Sequence, residues 1–562
     1  MSSIYDKSSL VLIPSGTKSG KVFSQKPVNG DGDFTFSRST AATRVNADGN
    51  IEKETQNLLL QSNTFDTANW LNYQLTRAGG QSGYDGSSDA WVFTKTATGF
   101  ANIRQAFTAI SGVYTYSAYL KAGTNTSVIM RCLGTSDHQW AINLSNGTSL
   151  YTSSNIIDTK IEDIGSGWYR CSMAFNANAV SNTYFYPEYP FNGTTAGSIY
   201  VQDAQLEQGL VARDYIETTT AAVEGGITDN VPRLDYTDSS CPALLLEPQR
   251  TNELTHSEYI SGGDSNTTTT FNYGESPEGF NNSVKVEVNS SGYAQKAQSR
   301  GGLTANTTYT FSFWLSSESD SADMRIYDNS NGANIIGSTA LTIPDSGWER
   351  VTQTFTTPAG CTSINVYCLA NGGKTAGDVT ITWGWQLEEG SYATSYIPTY
   401  GTSVTRNVDN MQIASGISDL VPQGTGTMYV EATIDDAVDT EGYLMRIEQA
   451  SFANTIFIAR STAGNLFVSY RNNNSTIFSF QKNNVADTFK AAFAFESGNS
   501  VLYVNGEQIG TSSVTYTPAV TYDDLRVGGY GSTTANMSGV VSQALVFKTR
   551  LSNEELADLT TL

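Results

Sequence analysis

Gln205–Thr219 reads QLEQGLVARDYIETT, and Gln386–Tyr400 reads QLEEGSYATSYIPTY. Aligned without gaps, eight of these fifteen positions are identical. The correspondence continues outward from both stretches. Ser166-Gly167-Trp168 matches Ser346-Gly347-Trp348, and Tyr114–Ser117 (YTYS) matches Tyr309–Ser312 (YTFS). Asn57–Phe65 (NLLLQSNTF) faces Asn252–Ile260 (NELTHSEYI) more weakly. Four ordered anchors at an offset of 180 to 195 residues identify two copies of one unit. Such a long-period repeat has to be found before any fold is assigned.

Within the copies the local pattern is β. Val113–Leu120 (VYTYSAYL) and Thr308–Leu315 (TYTFSFWL) alternate apolar and polar residues, as half-buried strands do. Tyr429–Ile434 and Thr455–Ala459 continue the pattern. Asn505-Gly506 stands between two apolar runs and supplies the two positive φ angles of a type I′ hairpin turn. Ser552-Asn553-Glu554-Glu555 forms a capping box, with Leu551 and Leu556 placed as a hydrophobic staple. A short helix is therefore expected from Ser552 to about Leu559. The expected fold is all-β: tandem antiparallel β-sandwich (jelly-roll) domains, with the short C-terminal helix on the last. The divisions are an N-terminal segment (1–50), copy one (51–222), a connector (223–250), copy two (251–404) and a last domain (405–562). The connector carries Gly225-Gly226, Pro232, Pro242 and Pro248, and its end, Ala243–Asn252, is expected to pack on copy two.

Composition narrows the function. Of 562 residues only 15% are charged, against about 25% in an average soluble protein. The net charge is −22, which disfavours nucleic acid and anionic membrane surfaces as partners. No apolar stretch is long enough to span a bilayer, and Met1–Gly16 holds only a four-residue apolar run, shorter than a secretory signal core. Five cysteines without a CxxC pair read as buried free thiols. With 24 Phe, 8 Trp and 30 Tyr the chain is too aromatic to be disordered.

Catalytic signals are sparse. The two histidines, His138 and His256, have no partner motif, and GxSxG, HExxH, Walker A and dinucleotide fingerprints are absent. No enzyme activity and no cofactor are expected, although a glycosidase carboxylate pair is not excluded by counting acids. Asp85–Asp89 and Asp235–Asp238 are oxygen-rich loops of the kind a structural Ca²⁺ accepts, without EF-hand spacing. Residues shared by the copies are read as scaffold: Trp168 and Trp348 as core, Glu207 and Glu388 as hydrogen-bond acceptors. Sugar binding uses aromatic faces that cover the apolar side of a pyranose. The aromatics not shared between copies are therefore the candidate glycan-binding residues: Trp70, Trp140, Tyr184, Tyr186 and Tyr189 in copy one, Tyr273 and Tyr327 in copy two. Half-buried sheet packing is the alternative for each.

Phe34–Asn63 (FTFSRSTAATRVNADGNIEKETQNLLLQSN), Pro232–Ser257 with its RLDY and ALLLEPQRTN, and the two QLE closures resemble the modular fibre and appendage proteins of tailed bacteriophages. In that group such segments introduce sandwiches similar to carbohydrate-binding modules. Copy two departs from the pattern by starting NELTHSEYI where copy one starts NLL. Leu502–Gly510, Leu525–Gly531 and Val540–Leu559 resemble a concanavalin A-like or laminin-G-like jelly roll. The resemblance implies a tail fibre at the virion surface that binds host cell-surface glycans as a homotrimer. Residues 1–50 would then attach it to other virion structural proteins, with no nucleic-acid partner and no membrane insertion. The alternatives are a head fibre or capsid decoration protein, and a capsular polysaccharide depolymerase.

Overall fold

The computed structural model describes residues 3–190, 196–434, 441–449, 452–529 and 536–562. It is all-β, built of antiparallel sheets, with two short helices at Ser3–Lys7 and Asn553–Thr560. No described helix is long and apolar enough to cross a membrane.

In copy one, the first sandwich, two long strands, Asn102–Ala122 and Trp168–Tyr186, run antiparallel to each other through both layers. They bend where the register shifts between Ala109 and Gly112. One half of each strand pairs with Gly197–Gln208 or Ile156–Gly165, the other half with Leu71–Tyr73 or Ser127–Leu133. In copy two, the second sandwich, the equivalent strands are each cut in two. Gly292–Gly301 and Thr308–Ser316 are separated by a turn with Gly302 and Asn306 at positive φ, and Trp348–Thr356 and Ser363–Lys374 by Pro358 and Gly360. Proline cannot donate to a ladder and positive φ leaves the β region, so the pairing stops at both turns. The result is a separate five-stranded and a separate four-stranded sheet.

The repeated residues close each sandwich in the same way. Gln205 donates to the carbonyls of Arg213 and Asp214 and accepts from Ile216 N–H (2.8 Å); Gln386 treats Thr394, Ser395 and Ile397 alike (2.6 Å from Ile397 N–H). Glu207 accepts from Arg213 N–H and Glu388 from Thr394 N–H, both at 3.0 Å. Both acids are the structural acceptors expected of them. Asn57 and Asn252 donate to the carbonyls of Ile216 and Ile397, at 2.8 and 2.9 Å. These groups are buried, and an unmade hydrogen bond at any of them would cost about 1–3 kcal/mol.

The last module draws on distant parts of the chain. Leu10–Leu12 and Ala243–Leu246 both pair with Gly539–Phe547, and Phe34–Ser37 pairs with Asn410–Ile413. Leu10, Leu12, Phe34, Phe36, Leu244 and Leu246 lie in one core with Leu444, Phe493 and Val546. Leu10–Leu12 and Phe34–Ser37 are therefore part of the last module, and Ala243–Leu246 packs on that module rather than on copy two. Apolar strands this short cannot bury themselves and are held by an existing sheet edge. The Asn505-Gly506 hairpin has both expected positive φ angles, 50° and 80°. The final helix has the expected capping box, and Leu551 and Leu556 are buried against the sheet.

Two buried ionic networks hold the modules together. Lys53 bonds Glu258 (2.6 Å) and Glu278 (2.9 Å), and Arg213 of the first sandwich reaches Glu278 of the second. Arg38, Arg233 and Arg406 converge on Asp409 and Glu247. Between the two sandwiches the backbones touch: Val113 N–H donates to Tyr400 carbonyl at 2.7 Å. A Cβ on Gly112 would lie 2.3 Å from that carbonyl oxygen, so only glycine fits there.

Candidate functional site

The candidate aromatic residues divide by burial. Trp70 and Trp140 are core, 1% and 0% exposed, with their indole N–H groups bonded to Gln61 carbonyl and Ser149 Oγ. Neither can stack on a ligand, which corrects the expectation for both. Tyr184 and Tyr186 are also buried, stacked on each other at 5.5 Å between Ile129 and Ala141. Tyr189 is half-buried and stacks on the exposed Tyr151 at 6.3 Å. Tyr273 is exposed, with the Lys285 ammonium over its ring at 4.8 Å. Trp168 is core as expected, but Trp348 is half-buried. Trp348 lines a cleft of about 830 Å³ with Tyr273, Trp314, Glu318 and, from the connector, Asp238. The repeat thus preserved the residue without preserving its burial. Cys241 is exposed, whereas the other four cysteines are buried.

Tyr327 lies on the outer face of the four-stranded sheet, and this face gathers several polar and aromatic side chains. Strand pairing sets Arg325 opposite Tyr367, Tyr327 opposite both Asn365 and Asn334, and Ser299 opposite Asn365. Because side chains alternate across a strand, these residues share the side facing away from the core. The Arg325 guanidinium sits over Tyr327 at 4.9 Å and over Tyr367 at 5.1 Å. Its Nη1 donates to Tyr293 Oη (3.2 Å) and its Nε to Asn334 Oδ1 (2.8 Å). Tyr293 is 46% exposed and donates to Gln295 Oε1 at 2.8 Å. Gln295, Ser299 and Asn365 continue into a hollow of about 430 Å³ that also holds His256 and Tyr259. Burial lowers the His256 pKa below the usual imidazole value.

The first sandwich has the same element with a different wiring. Arg131 lies opposite Tyr184, as Arg325 lies opposite Tyr367, and stacks over it at 5.7 Å. Its Nε and Nη2 grip both oxygens of Asp137, at 2.7 and 2.8 Å. Although burial works the other way, that grip holds the Asp137 carboxyl below its usual range. Tyr184 is thus not specific to its copy. The signal was present in sequence as Met130-Arg131 and Met324-Arg325, and also as the arginine two residues after each repeated tryptophan. Those arginines, Arg170 and Arg350, donate to the carbonyls of Arg213 and Thr394.

In the Asp85–Asp89 loop the polar side chains are bonded within the protein. Asp85 Oδ1, Ser87 Oγ and Asp89 Oδ1 converge on the Gln202 amide nitrogen, at 3.3, 3.3 and 2.8 Å. Asp235 is bonded to Val45 N–H and to Thr237. Among the described residues no group of three or more His, Cys, Asp or Glu side chains is placed to hold a metal.

Residues 257–372 match the family model described as a carbohydrate binding domain, so the four-stranded face falls within a recognised module. Residues 407–557 match the concanavalin A-like lectin/glucanases superfamily. No curated protein matches the chain. Among solved structures, the chain is similar to the CBM40 of the Ruminococcus gnavus IT-sialidase bound to alpha2,3 sialyllactose (16% identity, 27% of this chain and 96% of that one, TM-score 0.24). It is also similar to domain 4 of the arabinanase AbnA of Geobacillus stearothermophilus (10% identity, 27% and 73%, TM-score 0.23). A third is the CBM22-1-CBM22-2 tandem of Paenibacillus barcinonensis Xyn10C (11% identity, 59% and 98%, TM-score 0.20).

Proposed function

We propose that the protein recognises glycans through the outer face of the second sandwich's four-stranded sheet, and that it does so as a fibre on a bacteriophage virion. The observation that carries the binding reading is the Tyr327–Arg325–Tyr293 platform beside the amides of Gln295 and Asn365, inside the carbohydrate-binding match. Tyrosine rings cover the apolar face of a sugar while the amides and hydroxyls bond its hydroxyl groups. The virion reading rests on the sequence resemblance of Phe34–Asn63 and Pro232–Ser257 to phage appendage proteins.

In this reading the protein binds rather than cleaves, and weak sites add up to firm adhesion when a homotrimer displays several of them. Attachment to other virion proteins would use the exposed side of the N-terminal segment, where Tyr5, Ile13 and Val28 face solvent. Full-length protein should bind host cells and block phage adsorption, with Tyr327→Ala and Tyr293→Ala each weakening cell binding about tenfold, the size of one lost aromatic contact. Undiminished binding by both variants would overturn the site. Labelling of virions should place the protein on the tail; labelling on the head would replace the tail-fibre role by capsid decoration. New reducing ends released from host polysaccharide would overturn the binding-only role.

A further inference from the structure

The two copies differ in the residue that faces the arginine Nε of their shared Arg–Tyr element. Pairing sets Asp137 opposite Leu133 in the first sandwich and Asn334 opposite Tyr327 in the second, two residues after the arginine in both cases. The arginine Nε donates to the side-chain oxygen at this position in each, at 2.7 Å to Asp137 and 2.8 Å to Asn334. The rest of the fork differs. In the first sandwich Arg131 Nη2 meets the second carboxylate oxygen, at 2.8 Å, and the charge is neutralised within the chain. In the second, an amide offers only one oxygen, and no carboxylate among the described residues pairs with Arg325.

The neighbouring charges do not compensate. Asp328 is turned into its own loop, accepting from Ser330 and Asn331. Lys296 is buried and paired with Asp264, and Arg300 is paired with Glu253. In a chain of net charge −22 this leaves a local positive spot on an exposed face, with the guanidinium plane steadied by two tyrosine rings. Asn334 takes Nε and Tyr293 takes one hydrogen of Nη1, so Nη2 is the donor left for a ligand carboxylate, which a guanidinium binds by charge-assisted hydrogen bonds.

We infer that the second sandwich takes a carboxylate-bearing sugar, a uronic or nonulosonic acid residue, whose carboxylate meets Arg325 Nη2, the donor whose counterpart on Arg131 holds the second oxygen of Asp137 in the first. This rests on the glycan-binding reading of the same face and adds the ligand class. The first sandwich, with its own acid in place, takes no such ligand.

The test uses the full chain on immobilised polygalacturonate, alginate and colominic acid, each against its carboxyl-reduced form. At least one acidic polymer should bind about tenfold more tightly than its reduced form, and the difference should shrink as salt is raised. Polygalacturonate and alginate against colominic acid separate uronic from nonulosonic carboxylates. Arg325→Gln should abolish the preference. Asn334→Asp, which rebuilds the first sandwich's clamp with almost no change of shape, should abolish it too while the melting temperature stays put. Equal binding of acidic and reduced polymers, with binding still lost in Tyr327→Ala, would overturn the inference and leave the glycan reading standing. An unchanged preference in both Arg325→Gln and Asn334→Asp, or equally tight binding of dextran sulfate, would also overturn it. Binding of no polymer, acidic or neutral, would remove both.

Discussion

In the first sandwich two strands of 21 and 19 residues run unbroken through both layers; in the second, the same two strands are cut by glycine, asparagine and proline turns. The closures that follow them are nevertheless built alike, from Gln205 and Glu207 in one and Gln386 and Glu388 in the other. What differs lies at equivalent points on that common frame. Arg213 reaches out to Glu278, whereas Thr394, its counterpart, turns back to Glu388. Asp137 neutralises Arg131, whereas Asn334 leaves Arg325 without an acid. The two copies share the frame and differ in the side chains set at equivalent points on it: one carries the arginine that ties the sandwiches together, the other an arginine that meets an amide.

The comparison breaks first at the junction. Glu278→Ala leaves Lys53 and Arg213 buried without their shared acid and should cost about 3–5 kcal/mol, measured as loss of cooperative unfolding in calorimetry. Glu388→Ala breaks only a closure within the second sandwich and should cost about half as much; equal losses would mean that Arg213 does not link the copies. The repeated tryptophans come next. Trp168→Ala should cost about 3 kcal/mol and Trp348→Ala about 1 kcal/mol in denaturant titrations, because only Trp168 is fully buried.

A further difference is expected in pH dependence. Burial, with the charges of Asp89, Asp85 and Glu217 adding to it, raises Asp203 from 3.8 to about 7 against the opposing Tyr84 hydrogen bond. A carboxyl raised in the folded state favours folding below its unfolded pKa and loses that contribution as pH rises through its folded one. The first sandwich should therefore lose on the order of 1–2 kcal/mol between pH 4 and pH 7, and Asp203→Asn should flatten that dependence. An equal slope in the variant would assign the dependence elsewhere.

Much of the frame was legible in the chain. The closure motif, the Asn505-Gly506 turn and the capping box at Ser552 are short-range features, decided by residues a few positions apart. The site was less legible. Trp70 and Trp140 have the composition of sugar platforms, but their strand positions point them into the core. Arg325 and Tyr367 become a pair only through the ladder that lays their strands side by side.

The sequence by itself determined that this protein is a tandem of β-sandwiches, because alternation, turn residues and a duplicated closure are local and repeat along the chain, while the concanavalin A-like character of the last module was legible only as a resemblance. Only the tertiary structure decided which aromatics are exposed, that Leu10 and Leu244 complete a sheet with residues near the far end of the chain, and that Arg325 meets an amide where Arg131 meets an acid. Burial and pairing are set by contacts between residues up to several hundred positions apart, and no local pattern records them.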